Sequence, residues 1–342
     1  MASTELFQSV VHHGETLRFD SAEQLLTDLL NGAFDESEMA ILLTTLHRRG
    51  ESAEELAGFH AAMRRAATTL PLSDEERENT VDTCGTGGDG SGTFNISTAV
   101  ALVASAAGVT VAKHGNKAVT SRSGSADVLH ALGIETEHTA ESATAALRAH
   151  GFAFLLAPRM HPAMKIVAPV RKALPFRTVF NLLGPMTNPA GAKRQVLGVY
   201  SAEAVDHVAH ALAHSGHMHH ALVVHGAGGL DELSLSGPSL VAEVRGSNVR
   251  RYTVTPEDAG LQMSDDPLAG GDAQENAEIL RGIFAGETGP RRDIVLLNAA
   301  SVLVVAGVAK DLRDGVAVAA QTVDSGKVQA LLARIATGAA RI

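Results

Sequence analysis

Residues Asp82–Thr98 read DTCGTGGDGSGTFNIST, and residues Lys113–Asp127 read KHGNKAVTSRSGSAD. Five glycines fall within the eight residues Gly85 to Gly92. Glycine lets backbone N–H groups approach a ligand closely, and hydroxyls and lysine add further donors. The pattern predicts a strand over Thr80–Cys84, a glycine loop, and a helix over Ser97–Ala107. A helix N-terminus placed there presents its N–H groups and positive dipole end to an anion. Helix capping accounts for Asn95 or Ser97, but not for the glycines. The second loop follows a predicted strand, Val109–Ala112, at the carboxyl end where α/β sheets bind ligands. Its lysines, hydroxyls and Arg122 form a dense run of donors suited to a polyphosphate.

Two familiar glycine loops do not fit. Gly85, Gly87 and Gly90 match G-x-G-x-x-G, but a dinucleotide fold wants an acid about 20 residues on. Here the second strand ends in Lys113, and no acid follows until Asp127. No Gly-Lys-Ser/Thr closes the glycine run, so the P-loop pattern is absent. Cys84 reads as a small buried residue, not a nucleophile.

Outward from these loops, β-rich runs alternate with helical ones. Further strands are predicted at Phe152–Leu156, Gln195–Tyr200, Ala221–His225 and Val241–Arg245. Helices are predicted at Ala140–His150 and Ala202–His214, and the tail from about Asp272 is mostly helical. This rhythm implies an α/β fold with a mostly parallel central sheet. The first 70 residues read as helical. Capping boxes are expected at Ser21-x-x-Gln24 and Ser52-x-x-Glu55, with a stop at Asn31-Gly32, a start at Asp35, and a last helix reaching about Thr69. The expected division is a small helical domain over residues 1–72, with a return segment near 169–190, and a large α/β domain over 73–342. The Pro-rich stretch Pro169–Pro189 either returns to the helical part or acts as a hinge.

The chain's net charge of -10 disfavours a broad nucleic-acid surface. Acids are nonetheless missing from residues 90–126 and 142–202, where Lys113, Lys117, Arg122, Arg171, Arg177 and other bases stand. That placement suits a focused site for a small anion. No apolar run approaches the about 18 residues of a membrane span. The N-terminus lacks the basic start and apolar middle of a signal peptide. Cys84 is the only cysteine, which excludes an intrachain disulfide and fits a reducing cytoplasm.

Eight segments together resemble the anthranilate phosphoribosyltransferase family. They are Gly85-Thr-Gly-Gly-Asp89, Asn95-Ile-Ser-Thr98, Lys113-His-Gly-Asn116, Ser123-Gly-Ser-Ala-Asp127, His161-Pro-Ala, Arg171, Phe180-Asn-Leu-Leu-Gly-Pro185 and Asp231-Glu-Leu-Ser234. Their order and spacing agree with the family over nearly the whole chain. The resemblance implies a cytoplasmic homodimer of tryptophan biosynthesis. Such an enzyme transfers ribose 5-phosphate from phosphoribosyl pyrophosphate (PRPP) to the amine of anthranilate and releases pyrophosphate. It further implies that Gly85, Gly88, Asp89, Thr93, Asn95, Ile96, Ser97 and Thr98 hold PRPP. Lys113, His114, Gly115, Asn116, Lys117, Ala118, Val119, Thr120, Ser121 and Ser125 would complete that pocket. Gly85, Asn116 and Arg171 would meet anthranilate, with His114 nearby. Ser97, Asp231 and Glu232 would serve magnesium, two ions being expected. No strong general base is assigned; His114 is the one candidate. Lys117 stands where the family commonly has Arg, and Thr120 where Ser is common; lysine lacks arginine's bidentate reach.

Two alternatives stay open at this point. A pyrimidine nucleoside phosphorylase shares the architecture and uses orthophosphate without magnesium; Asn95–Thr98 and Asp231-Glu232 point away from it. A non-catalytic nucleic-acid-binding relative should lose metal or acceptor residues, or gain a basic face.

Overall fold

The computed structural model describes residues 3–118 and 122–336. Its N-terminal part folds into four helices: α1 (Ser3–Val11), α2 (Phe19–Leu30), α3 (Glu36–Arg49) and α4 (Ala53–Ala66). Asp35 and Ser52 each close a capping box, with Glu38 and Glu55. The box expected at Ser21 does not form, because α2 already begins at Phe19. The N–H groups of Leu17 and Phe19 donate to Glu55 and Glu54 of α4, at 3.0 and 3.2 Å. Carboxylates from a neighbouring helix thus do the work of a local cap. Helix α4 ends at Ala66, short of Thr69, and the Thr68 N–H instead donates to the Met160 carbonyl at 2.8 Å.

After α5 (Asp74–Asn79) the α/β alternation begins. In order come β1 (Thr80–Gly85), α6 (Ile96–Ala106), β2 (Thr110–Gly115), α7 (Ser125–Ala131), α8 (Ala140–His150), β3 (Phe152–Leu156) and α9 (Ala157–Met160). Next are α10 (Met164–Ala173), α11 (Phe180–Met186), β4 (Arg194–Gly198), α12 (Ala202–His214), β5 (His220–His225), β6 (Ser239–Arg245) and β7 (Asn248–Val254). Four helices follow: α13 (Ala273–Phe284), α14 (Pro290–Ala306), α15 (Leu312–Asp324) and α16 (Lys327–Ile335).

The sheet order is β3-β2-β1-β4-β5-β6-β7, parallel from β3 to β5 and antiparallel for β6 and β7. Strand β7 is absent from the sequence reading. Its alternation is masked by Arg250 and Arg251, and the visible signal is the two-residue Gly246-Ser247 link to β6. The order 3-2-1-4-5 reverses between β1 and β4. In open α/β sheets ligands bind at the carboxyl ends of the strands flanking such a reversal.

One sheet face buries α6 and the C-terminal helices around Val100, Phe284 and Leu303. The other joins Leu197, Val208 and Val223 to Leu25, Leu42 and Phe59 of the helical part in a single apolar cluster. Helix α10 packs on α2 and α3, and α11 on α4. The chain therefore returns to the helical part from Met164, earlier than residue 169.

Candidate active site at the sheet reversal

Gly85 on β1 lies opposite Gly198 on β4. The loop carrying Asp231 crosses directly over both. A Cβ at Gly198 would strike the Asp231 backbone, and one at Gly85 would strike its carboxylate. The Thr86 N–H donates to Gly198 O at 2.9 Å, and the Gly87 N–H to Asp231 Oδ2 at 2.7 Å. Glycine at these two strand ends is what lets the glycine loop and the acidic loop meet.

The α6 N-terminus is used differently from the sequence expectation. Asn95 makes no side-chain cap. Its amide bridges Ser123 O at 3.2 Å and Asn276 Nδ2 at 2.9 Å, tying the first loop to the second and to α13. The Ser97 N–H faces the buried Glu232 carboxylate and offsets part of the cost of its burial, so a protein carboxylate stands at the helix's anion position. The donors left for a ligand lie in the glycine loop. Among the described residues the amides of Gly88, Asp89 and Gly90 have no protein acceptor. Ile96 is buried and contributes only backbone; Thr98 is buried with a hydroxyl that has no partner among the described residues.

Beneath the loop lies Lys113 of β2, 1% exposed, donating to Thr83 O at 2.8 Å and Ser97 Oγ at 3.1 Å. Burial lowers its pKa, opposed by the nearby acids Asp82, Glu232 and Asp231. Asp82 is itself buried and accepts from the His114 N–H at 3.1 Å and Gln195 Nε2 at 3.2 Å. Burial, then the charge of Asp89, pushes the Asp231 carboxyl up; burial, then Asp231, does the same to Glu232. Asp89 Oδ2 is buried with no partner among the described residues, which adds to the negative charge around Asp231. Negative charge thus exceeds positive charge in a desolvated place, a condition a cation relieves. The donors are all oxygen, which suits magnesium. Among the described residues no three His, Cys, Asp or Glu side chains form a ready metal cage. Magnesium takes one or two carboxylates and completes its shell with water and phosphate oxygens.

A second group of residues gathers around α11. The Arg171 guanidinium of α10 lies 5.4 Å from the Phe180 ring centre. The His114 ring lies near the Gly184 carbonyl and the His161 ring near that of Thr187. The two rings are 5.0 Å apart, and each has a buried Nε2 with no partner among the described residues. Burial pushes His114 well below the ordinary imidazole range and His161 to about 4, so both are neutral at pH 7. A Cβ at Gly115 would sit 2.9 Å from the Phe154 ring and 3.3 Å from Ser125 Cβ, so the second loop packs tightly at its base. Asp127 Oδ2 then gathers the N–H groups of Ala118 and Gly124 at 2.8 and 2.9 Å, and Asn116 O accepts from Ala126 at 3.2 Å. Lys117 reaches outward to the exposed Glu137 at 3.0 Å, away from the others. Val119, Thr120 and Ser121 lie outside the described residues.

Sequence reasoning passed over two contributors and left a third, Arg177, as one base of the acid-free tract. Residues 268–270 form a strap: the Phe94 N–H donates to Leu268 O at 3.1 Å, the Gly270 N–H to Gly92 O at 2.9 Å, and Thr93 bridges Ala269. This strap has no periodicity to reveal it. Asn276 is a buried polar residue on the apolar face of α13, a signal that was available. Arg177 donates to the Gly88 carbonyl from the α10–α11 connection.

Comparison with known proteins agrees with this architecture. The helical bundle domain of the glycosyl transferase family matches residues 4–67, and the family's a/b domain matches residues 77–329. The anthranilate phosphoribosyltransferase of Rubrobacter xylanophilus is 50% identical over 323 residues, covering 94% of this chain and 93% of that protein. The crystal structure of anthranilate phosphoribosyltransferase from Thermus thermophilus is 44% identical with a TM-score of 0.90, covering 97% of this chain and 98% of the other. The enzyme from Saccharomyces cerevisiae in complex with PRPP and Mg is 27% identical with a TM-score of 0.86, covering 99% and 98%. Matched in both of its parts and along nearly its whole length, the chain belongs to the anthranilate phosphoribosyltransferase family.

Proposed function

We propose that the reversal between β1 and β4 is where this enzyme moves the 5-phosphoribosyl group of PRPP onto the amine of anthranilate. The observation that carries the placement is the meeting, at the ends of two paired strands, of acceptor-free glycine-loop amides with the Ser97–Lys113–Asp231–Glu232 cluster. The amides, with Thr93 and the second loop, hold the phosphates of the donor. Asp231, Glu232 and Ser97 hold magnesium, one or two ions, which when bound neutralises charge building on the pyrophosphate.

In the reaction the C1–O bond to pyrophosphate breaks, the C1–N bond forms, and one amine proton leaves. The amine of anthranilate is a neutral nucleophile and requires placement more than activation. Arg171 has the planar fork to hold its carboxylate, with Gly85 and Asn116 as the other expected contacts. Neutral His114 presents a free Nε2 able to accept a hydrogen bond or the departing proton.

The direct test is the loss of anthranilate fluorescence with purified protein, PRPP and magnesium. Loss that requires all three supports the reading; no loss from folded protein overturns it. A sharper expectation concerns Arg171. Arg171→Ala should raise the anthranilate KM by about 10- to 100-fold while the PRPP KM moves by less than about threefold, the signature of a lost charge-assisted pair. Equal rises in both constants would remove Arg171 from the acceptor site.

We also propose a homodimer built through the helical part, where Ile41 of α3 and Ile166 of α10 are exposed on helices that touch. Ile41→Glu with Ile166→Glu should convert a two-chain mass in light scattering to a single-chain mass; an unchanged mass would place the interface elsewhere. Among the described residues no helix is long and apolar enough to cross a membrane, and the lone buried Cys84 suits a cytoplasmic location.

A further inference from the structure

Arg177 lies outside the residues given a role so far, yet it is fastened to the donor loop. It leaves the connection between α10 and α11, and its Nη2 donates to the Gly88 carbonyl. Its guanidinium lies over the Tyr200 ring, 4.2 Å from the centre, just beyond the end of β4. The same side chain lines a cavity of about 350 Å³, with Gly50 and Glu51 of the α3–α4 turn on one side and Thr178 and Leu182 on the other. Arg177 thus spans from the cleft beside the helical part to the glycine loop.

The peptide bond gives that contact a consequence. The Gly88 carbonyl and the Asp89 N–H belong to one planar trans unit and point in opposite directions. Fixing the oxygen on one side fixes the N–H on the other. That N–H has no protein acceptor among the described residues. Gly88 has φ +66°, and its freedom would otherwise let this peptide rotate at little cost. The Tyr200 ring attracts the guanidinium from the other side, which limits how far it can wander from the Gly88 carbonyl.

We propose that Arg177 is a positioning residue for the donor: acting through the Gly88–Asp89 peptide, it aims the Asp89 amide at a PRPP phosphate. The inference rests on the placement of PRPP at the glycine loop. Arg177 is exposed, so its removal leaves the core intact. Arg177→Ala should raise the PRPP KM about tenfold, with kcat and the anthranilate KM within about twofold and an unchanged melting temperature. Free guanidinium ion should restore part of the loss. Tyr200→Phe should be nearly silent, and Tyr200→Leu should show part of the Arg177→Ala effect. Hydrogen exchange of the amides in residues 86–92 should speed up in Arg177→Ala. Gly88→Ala separates this inference from the reading beneath it. If Gly88→Ala raises the PRPP KM and Arg177→Ala does not, the donor site stands and the positioning role falls. If neither variant moves the PRPP KM, the donor is not held by this loop and both fall. If Arg177→Ala raises both substrate constants together with a lower melting temperature, the residue is structural and the inference is overturned.

Discussion

Asp231→Asn combined with Glu232→Gln should lower kcat/KM by on the order of 10³-fold and leave the metal-free protein as stable as the parent, or more so. The two halves of that expectation come from the same geometry. Asp231 and Glu232 are neighbours in sequence, desolvated beside each other and beside Asp89, with Lys113 as the nearest cation. Their carboxyls are raised because the ionised forms repel and lack water. Neutral amides of the same shape remove that repulsion. Glutamine at 232 still turns a carbonyl toward the Ser97 N–H, and asparagine at 231 still accepts from the Gly87 N–H. The loop contacts survive while affinity for a cation does not. The metal-free fold should therefore keep its melting temperature, whereas the rise that magnesium gives the parent should vanish. Thermal melts of both proteins, with and without magnesium and without substrate, check this apart from turnover. A variant that melts well below the parent without metal would show that the acids are structural. A variant that keeps the magnesium-dependent rise would place the metal elsewhere.

The sequence made the parallel core of the sheet readable because its strands are short runs rich in apolar and β-branched residues, set between helical segments. Phe152–Leu156, Ala140–His150 and Ala202–His214 occupy their expected positions. What it did not reveal depends on contacts between distant segments. The start of α2 is set by carboxylates of α4, so the local Ser21 signal lost to a tertiary one. Strand β7 carries arginines on an edge, where polar side chains hide the period of two. The candidate site divides in the same way. The two glycine loops and Asp231-Glu232 are contiguous motifs and were legible. The role of the α6 N-terminus was not, since only the fold brings the Glu232 carboxylate up to it. The resemblance set His114 near Arg171, but the contact of the His114 and His161 rings and that of Arg171 with Phe180 join separate segments and leave no local pattern.

Lys113→Met should produce the largest combined loss, about 3 kcal/mol or more of stability and on the order of 10²-fold or more in kcat/KM. Methionine keeps most of the length and bulk of lysine, so the packing of β2 against β1 and β3 should hold. What disappears is the ammonium group that joins the end of β1, through Thr83 O, to the start of α6, through Ser97 Oγ. Asp82, Asp231 and Glu232 then share a buried space without their cation. Removing one member of a buried ionic group costs more than the group contributed, because the remaining charges stay desolvated. The acids can escape by taking up protons, which fixes the sign of the pH dependence. Their folded pKa values are already above those of free carboxyls and rise further when the ammonium is lost. A group with a raised folded pKa gives stability that is present at low pH and lost as pH rises through that value. The deficit of Lys113→Met relative to the parent should accordingly grow between pH 6 and pH 8. Denaturant titrations at the two pH values measure it, and Asp82→Asn in the same background should recover part of the loss, since it deletes one stranded charge. Equal deficits at both pH values, or no recovery with Asp82→Asn, would mean that Lys113 acts by packing and not by charge.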